Sequence, residues 1–258
     1  MIFKESFLYN NFNNIYESNT STNKEIILIG IGGPSPCGKS TIASRLAKHL
    51  NSPFLPIKGD IFFKDRSEIP KHEKYGLNRE IPEAMDFNSF YRELVSLKNH
   101  SLTCQDLKFP FNLQLEKFKI PINSNFYEEH ISTCLVFIVV ESYLLYYDKK
   151  IWNLIDIPLF IECDRDICLE RKKKRTKSGK FSSKWFTELV WPNYLKYFDN
   201  QLENAKPKIF DGREEDKDTL LNEILEYLND KLNILKSSIF IKNKSLNESN
   251  ATEKTIPN

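Results

Sequence analysis

Three glycines, two prolines, a lysine and three hydroxyls crowd the stretch GGPSPCGKST, Gly32 to Thr41. From Gly33 to Ser40 it reads GxxxxGK[ST], with the apolar run IILIGI before it and ASRLAKHL, at helical spacing, after it. A loop with glycines at both ends can turn so that successive backbone N–H groups aim at one anion, and the following helix adds its positive N-terminal end. Lys39 then supplies a mobile charge for the β and γ phosphates of a nucleotide such as ATP, and the Ser40 hydroxyl is of a type to ligate Mg²⁺. Pro34 and Pro36 offer no N–H. The cradle is therefore expected from Ser35, Cys37, Gly38, Lys39 and Ser40, with Gly33 opening it and Thr41 closing it. Cys37 reads as a small residue that fits the loop rather than as a redox switch.

Nucleotide binding alone does not separate a hydrolase, a switch and a kinase. A guanine-nucleotide switch would carry NKxD late in the chain, whereas Asn243-Lys244 is followed by Ser245-Leu246. A small-molecule kinase needs a base near the acceptor hydroxyl, an acceptor pocket and a cationic lid. Asp60, at the end of a predicted strand in KGDIFFK, is a candidate base; a turn cap is its plainer reading. Glu141 closes LVFIVVE, where a carboxylate on a buried strand is costly unless it faces a site and holds Mg²⁺; a solvated strand end is the alternative. Arg171 and Arg175, four apart in the densest charge run, share a helix face and are expected to meet phosphates as a lid, with TKSGKFSS as its hinge. An exposed anion patch would need only solvent.

The elements that must position these groups alternate along the chain. Strands are expected at 26–31, 54–59, 134–141, 157–163 and 208–212, and helices at 39–50, 83–98, 164–176, 184–204 and 216–235. Near-continuous β-branched strands separated by helices predict an α/β fold: an open parallel sheet buried on both faces. With 258 residues, 40% of them hydrophobic, one domain is expected over 25–236, with a flexible extension at 1–24 and a polar tail at 237–258. Residues 100–130 read as an irregular excursion. A net charge of +2 with interspersed signs gives no field for nucleic acid. Five cysteines without a CxxC pair suggest reduced thiols in a cytoplasmic protein, and no apolar segment suggests a membrane partner. Nuclear access is compatible with the basic run.

Taken in order, GGPSPCGKST, GDIFFKDRSEIP, EIPEAMDF, VVESYLLYYDKKIW, the Arg/Lys run, VWPNYLKY and IFDG resemble nicotinamide riboside kinases, within the uridine-kinase-like P-loop kinases, over roughly residues 26–230. The resemblance implies Mg²⁺- and ATP-dependent phosphorylation of a ribose 5′-hydroxyl in NAD salvage. It implies a small nucleoside as partner; a monomer or weak homo-oligomer is expected. By position it makes Asp60 the base, Ser40 and Glu141 the Mg²⁺ holders, Glu80 the ribose ligand, and Arg171 and Arg175 the ATP contacts. Lys172 falls where the family has a substrate-contacting arginine. Arg79 and Lys177 fall where the family sandwiches the nicotinamide ring between aromatics, and Phe181 or Trp185 are the candidates for a replacement face. Uridine or cytidine phosphorylation is the alternative within the same chemistry, and a non-catalytic nucleotide-binding regulator is the alternative outside it.

Overall fold

The computed structural model describes residues 23–99, 102–103, 135–175 and 182–232. Most of the proposed N-terminal extension, most of the 100–130 excursion and the proposed tail lie outside these residues, as do Lys177 and Phe181. Strand β1 spans Asn23–Gly32, and α1 follows the glycine loop as Lys39–His49. Then come β2 (Ile57–Lys58), α2 (Phe87–Lys98), β3 (Leu135–Glu141), β4 (Ile157–Glu162), α3 (Arg165–Arg175), α4 (Trp191–Ala205), β5 (Lys208–Asp211) and α5 (217–232).

The five strands lie parallel in the order β2-β3-β1-β4-β5, and the short segment Leu102–Thr103 pairs antiparallel with the start of β1. The strand order reverses at β1, so the crevice beyond its carboxyl end is where such a sheet accommodates ligands. The apolar run of β1 hides a period of two. Ile26 and Leu28 pack on one face with Phe90 and Leu94 of α2 and Tyr194 and Tyr197 of α4. Ile27, Ile29 and Ile31 pack on the other with Ile42 and Leu46 of α1 and Leu220 and Ile224 of α5. A strand buried on both faces has no polar side to show, hence the continuous hydrophobic run.

Two expected elements differ from what is observed. The strand expected at 54–59 pairs only through Ile57 and Lys58, and Asp60 lies in the 3₁₀ turn Gly59–Phe62 that follows. The helix expected over 184–204 is interrupted: Ser183–Trp185 runs into a π-turn at Phe186–Val190 before α4 begins. Pro192 offers no N–H to the preceding turn and its ring crowds the carbonyl four residues back, which widens the helix there. The Asn193 side chain donates to the Leu189 carbonyl at 2.8 Å and so satisfies an acceptor in that opened turn.

One buried hydroxyl joins the central strands. Opposite Gly30, β4 carries Pro158, which offers the ladder no donor. The Tyr146 hydroxyl accepts the Leu159 N–H at 3.0 Å and lies 2.9 Å from the Gly30 carbonyl and 2.8 Å from that of Leu159, to which its proton is available. Burial holds the phenol well above its usual range, so it remains a donor at every working pH. On α4, Gln201 accepts the Tyr146 N–H and donates to the Tyr143 carbonyl, while Asn204 donates to the Tyr146 carbonyl. Replacing Tyr146 with Phe leaves a buried N–H and carbonyl unpaired and is expected to cost about 1–3 kcal/mol in chemical denaturation. An unchanged unfolding midpoint would show that the strands close over the gap.

Candidate active site

At the carboxyl edge, parallel register sets Ile31 beside Glu141 and Glu141 beside Lys58. The chain leaves β1 through Gly33, whose φ of 138° lies in the region open to glycine and whose Cβ, if present, would stand 2.3 Å from the Ile161 carbonyl oxygen. The loop then folds on itself. The Cys37 N–H donates to the Pro34 carbonyl at 3.1 Å, and Lys39 Nζ reaches the same oxygen at 2.7 Å. This corrects the expected cradle at Cys37. The Cys37 amide is turned into the loop, and the Thr41 amide donates to the Gly38 carbonyl. Gly38, Lys39 and Ser40 remain at the helix start, where the first amides have no intrahelical acceptor. Cys37 is fully buried, and burial raises its thiol above the ordinary range, in keeping with a packing role.

A cavity of about 330 Å³ opens beside the loop, the size of a small-ligand site. Its wall brings together Ser35, Lys39, Ser40, Asp60, Arg79, Glu80, Glu141 and Lys172, eight of the residues singled out by the sequence. Asp60 reaches it because Gly59 lets the turn pack against β3: a Cβ there would lie 2.3 Å from Ser142 Oγ. Glu141 is the last residue of β3, 5% exposed, in a chain where almost every other buried side chain is apolar.

Glu80 arrives from the segment between β2 and α2. That segment is pinched at its base by a bridge between Phe63 and Met85, and it contains a small hairpin, Lys71–His72 paired with Gly76–Leu77. The Asn78 N–H donates to the Pro70 carbonyl, and the Asn78 side chain accepts the Glu80 N–H at 3.1 Å. Burial pushes the Glu80 carboxyl above the usual carboxylate range; Lys172 opposes this, the Asp60 charge adds to it, and Lys39 opposes it. These four groups therefore form one electrostatic unit.

Several wall residues had not been anticipated: Lys58, Phe63, Leu77, Ser142, Tyr143 and Leu189. The Arg79 guanidinium stands over the Phe63 ring at 5.4 Å, and Lys172 Nζ over the Trp185 ring at 5.3 Å. Trp185, one of the two candidates for an aromatic face, thus lines the cavity. The Tyr143 hydroxyl donates to the Arg79 carbonyl, and its phenol is held well above its usual range by burial and by the nearby Glu80 and Asp60 charges.

The two lid arginines are not brought together as expected. Arg171 Nη1 donates to the Cys37 carbonyl at 3.1 Å and the Gly212 carbonyl at 2.6 Å, and Nη2 donates to Arg213 O at 3.2 Å. It is an anchor behind the glycine loop, because the loop and the end of β5 both point carbonyls into the gap that its planar fork fills. Arg175 is exposed one turn further on. A second cavity, of about 600 Å³, lies on this side, lined by Asp166, Ile167, Glu170, Arg171, Lys174, Glu215 and Lys217.

Among the described residues there is no cluster of three or more His, Cys, Asp or Glu side chains that could by itself hold a metal. Ser40 and Glu141 on one wall instead suit a cation that takes one or two protein oxygens and completes its shell with water and phosphate, as Mg²⁺ does.

Comparison with known proteins bears on the whole of this arrangement. The family described as Phosphoribulokinase / Uridine kinase matches residues 28–217. A uridine kinase of Schizosaccharomyces pombe is 25% identical over 228 residues, 85% of this chain and 47% of that protein, so the chain spans about half the length of that relative. A uridine kinase of Borreliella burgdorferi (strain ZS7) is 28% identical over 200 residues, 74% of this chain and 89% of that protein. One from Klebsiella pneumoniae (strain MGH 78578) is 29% identical over 161 residues, 60% of this chain and 71% of that protein. The family match runs from β1 through the glycine loop, both cavities and α4 to the first residue of α5, and by that match the chain belongs to the phosphoribulokinase / uridine kinase family.

Proposed function

We propose that this protein transfers the γ-phosphoryl group of ATP, with Mg²⁺, to the ribose 5′-hydroxyl of a nucleoside. One observation carries the reading: Lys39, Ser40, Asp60, Glu80 and Glu141 share the wall of a single cavity at the carboxyl edge of the sheet. Phosphoryl transfer asks a protein mainly for positioning and for charge placed against the migrating group. Lys39 and the amides at the start of α1 meet the phosphates, and Ser40 and Glu141 would hold the cation, which supplies further neutralisation of the phosphate oxygens. Asp60 orients the 5′-hydroxyl and takes its proton. Glu80 accepts hydrogen bonds from the other ribose hydroxyls, and Lys172 keeps it ionised enough to do so. The nucleotide's base and ribose then fall in the second cavity, across which Arg171 ties α3 to the loop after β5. The presence of Lys39, Asp60 and Glu141 on one wall speaks against a purely regulatory nucleotide binder.

For the acceptor's base we infer nicotinamide, as in nicotinamide riboside and by extension nicotinic acid riboside. The ordered motifs support this, and so do two aromatic rings in the cavity, Phe63 and Trp185, whose faces already host positive groups. A pyridinium ring would have to take the place of one of those groups. The same two cations favour a second reading, uridine or cytidine, whose carbonyl oxygens Arg79 and Lys172 could bind directly. A coupled ADP-release assay with nicotinamide riboside, nicotinic acid riboside, uridine and cytidine separates the two readings. The highest kcat/KM should fall to a nicotinamide-type riboside; a pyrimidine preference replaces the substrate but keeps the chemistry, and no nucleoside-stimulated release would refute both.

Asp60→Ala is expected to lower kcat by about 10²–10⁴-fold while leaving Mg-ATP affinity intact, measured by steady-state kinetics and nucleotide titration. Glu80→Gln should weaken nucleoside binding about 10–100-fold by calorimetry. The pH dependence has a definite sign. Because the Glu80 carboxyl titrates above the ordinary range, lowering pH from neutral protonates it early, which relieves its burial cost but removes a ribose acceptor. Nucleoside affinity should therefore fall as pH falls in the native protein and stay flatter in Glu80→Gln.

A further inference from the structure

The two walls of the acceptor cavity come from different parts of the chain. Leu77, Arg79 and Glu80 belong to the segment between β2 and α2, while Trp185 and Leu189 belong to the π-turn and the short helix before it. The segment is fixed at its base by the Phe63–Met85 bridge and by the Lys64 N–H donating to the Ala84 carbonyl. Its far end crosses to the opposite wall. There Glu188, in the middle of the π-turn, accepts from Lys74 Nζ at 2.5 Å and from the Tyr75 hydroxyl at 2.5 Å. Lys74 and Tyr75 lie in the loop of the hairpin, with Lys74 Nζ 5.1 Å from the Tyr75 ring and Tyr75 stacked on His72 at 5.2 Å.

Resting on the acceptor site proposed above, we infer that Glu188 is a positioning residue that fastens the hairpin across the acceptor cavity and so sets affinity for the acceptor but not for ATP. Three observations carry it. Glu188 lies between Trp185 and Leu189 in a turn whose widened geometry is imposed by Pro192, so its direction is coupled to two cavity residues. Its partners lie in the loop between two hairpin strands that lead directly to Leu77, Arg79 and Glu80. The nucleotide side is built from other elements: the glycine loop, α3 and the loop after β5. The Lys74 ammonium and the Tyr75 hydroxyl hold the Glu188 carboxyl below the usual carboxylate range, so the clasp remains charged through neutral pH.

The Lys74 and Glu188 side chains are 55% and 44% exposed, and an exposed pair contributes little to global stability. Its effect must then be read locally. Glu188→Gln, in the full chain, should speed hydrogen exchange of the 71–77 amides, raise the KM for the accepted nucleoside about fivefold, and leave the KM for ATP, kcat and the unfolding midpoint within about twofold or a degree. Reversing both charges, Lys74→Glu with Glu188→Lys, should recover most of the affinity that either reversal alone removes, a result that loss of a merely structural side chain would not give. Unchanged exchange in 71–77, or faster exchange with an unchanged nucleoside KM, overturns the inference. If the unsubstituted protein phosphorylates no nucleoside, the proposed function falls instead, and the exchange measurement alone then decides whether the clasp exists.

Discussion

At Gly33 the chain passes so close to β4 that even a methyl group would collide with the Ile161 carbonyl, and the site depends on that closeness. It fixes the direction in which the chain leaves the central strand, and with it the point at which α1 begins. Because helix amides without acceptors lie only in the first turn, the anion site can be only where this turn puts it. Arg171 secures the loop from behind by donating to Cys37 O and Gly212 O, so the loop is braced against the end of β5 as well. Arg171, expected as a phosphate contact, holds the cradle from beneath in this structure.

Around this fixed point the cavity balances opposing charges. Lys39, Lys58, Arg79 and Lys172 face Asp60, Glu80 and Glu141 across about 330 Å³. Glu80 shows the balance: burial, the largest influence, and Asp60 favour its neutral form, while Lys172 and Lys39 favour the ion. The two cations that stand on aromatic faces belong to the same balance, because the negative face of a ring attracts a positive group. Whatever base the acceptor carries has to be accommodated within this balance.

Much of the sheet and the phosphate loop was legible in the sequence, for physical reasons. IILIGI and LVFIVV are apolar throughout because both faces of a central parallel strand are covered, and a lone Glu141 at the end of such a run is too costly to be incidental. Local spacing could not tell three tyrosines apart. In ESYLLYYD, Tyr143 lines the cavity, Tyr146 is buried beneath Gly30 and Leu159, and Tyr147 is exposed, and only the pairing of β1 with β4 distinguishes them. Likewise the i, i+4 spacing of Arg171 and Arg175 predicted a shared face, but which carbonyls lie below that face is a property of β5 and the loop, more than thirty residues away. The π-turn followed from Pro192, but its partnership with the hairpin joins residues 113 and 114 positions apart, a contact that no local pattern encodes.

The central claim is that phosphate donor and ribose acceptor meet at Asp60. The most direct test is phosphorus and proton NMR of the product formed from Mg-ATP and the nucleoside this protein accepts. The account predicts a single monophosphate whose phosphorus couples to the two 5′-methylene protons, formed in step with ADP. Release of ADP and inorganic phosphate without that product, or phosphate on another ribose oxygen, would contradict it.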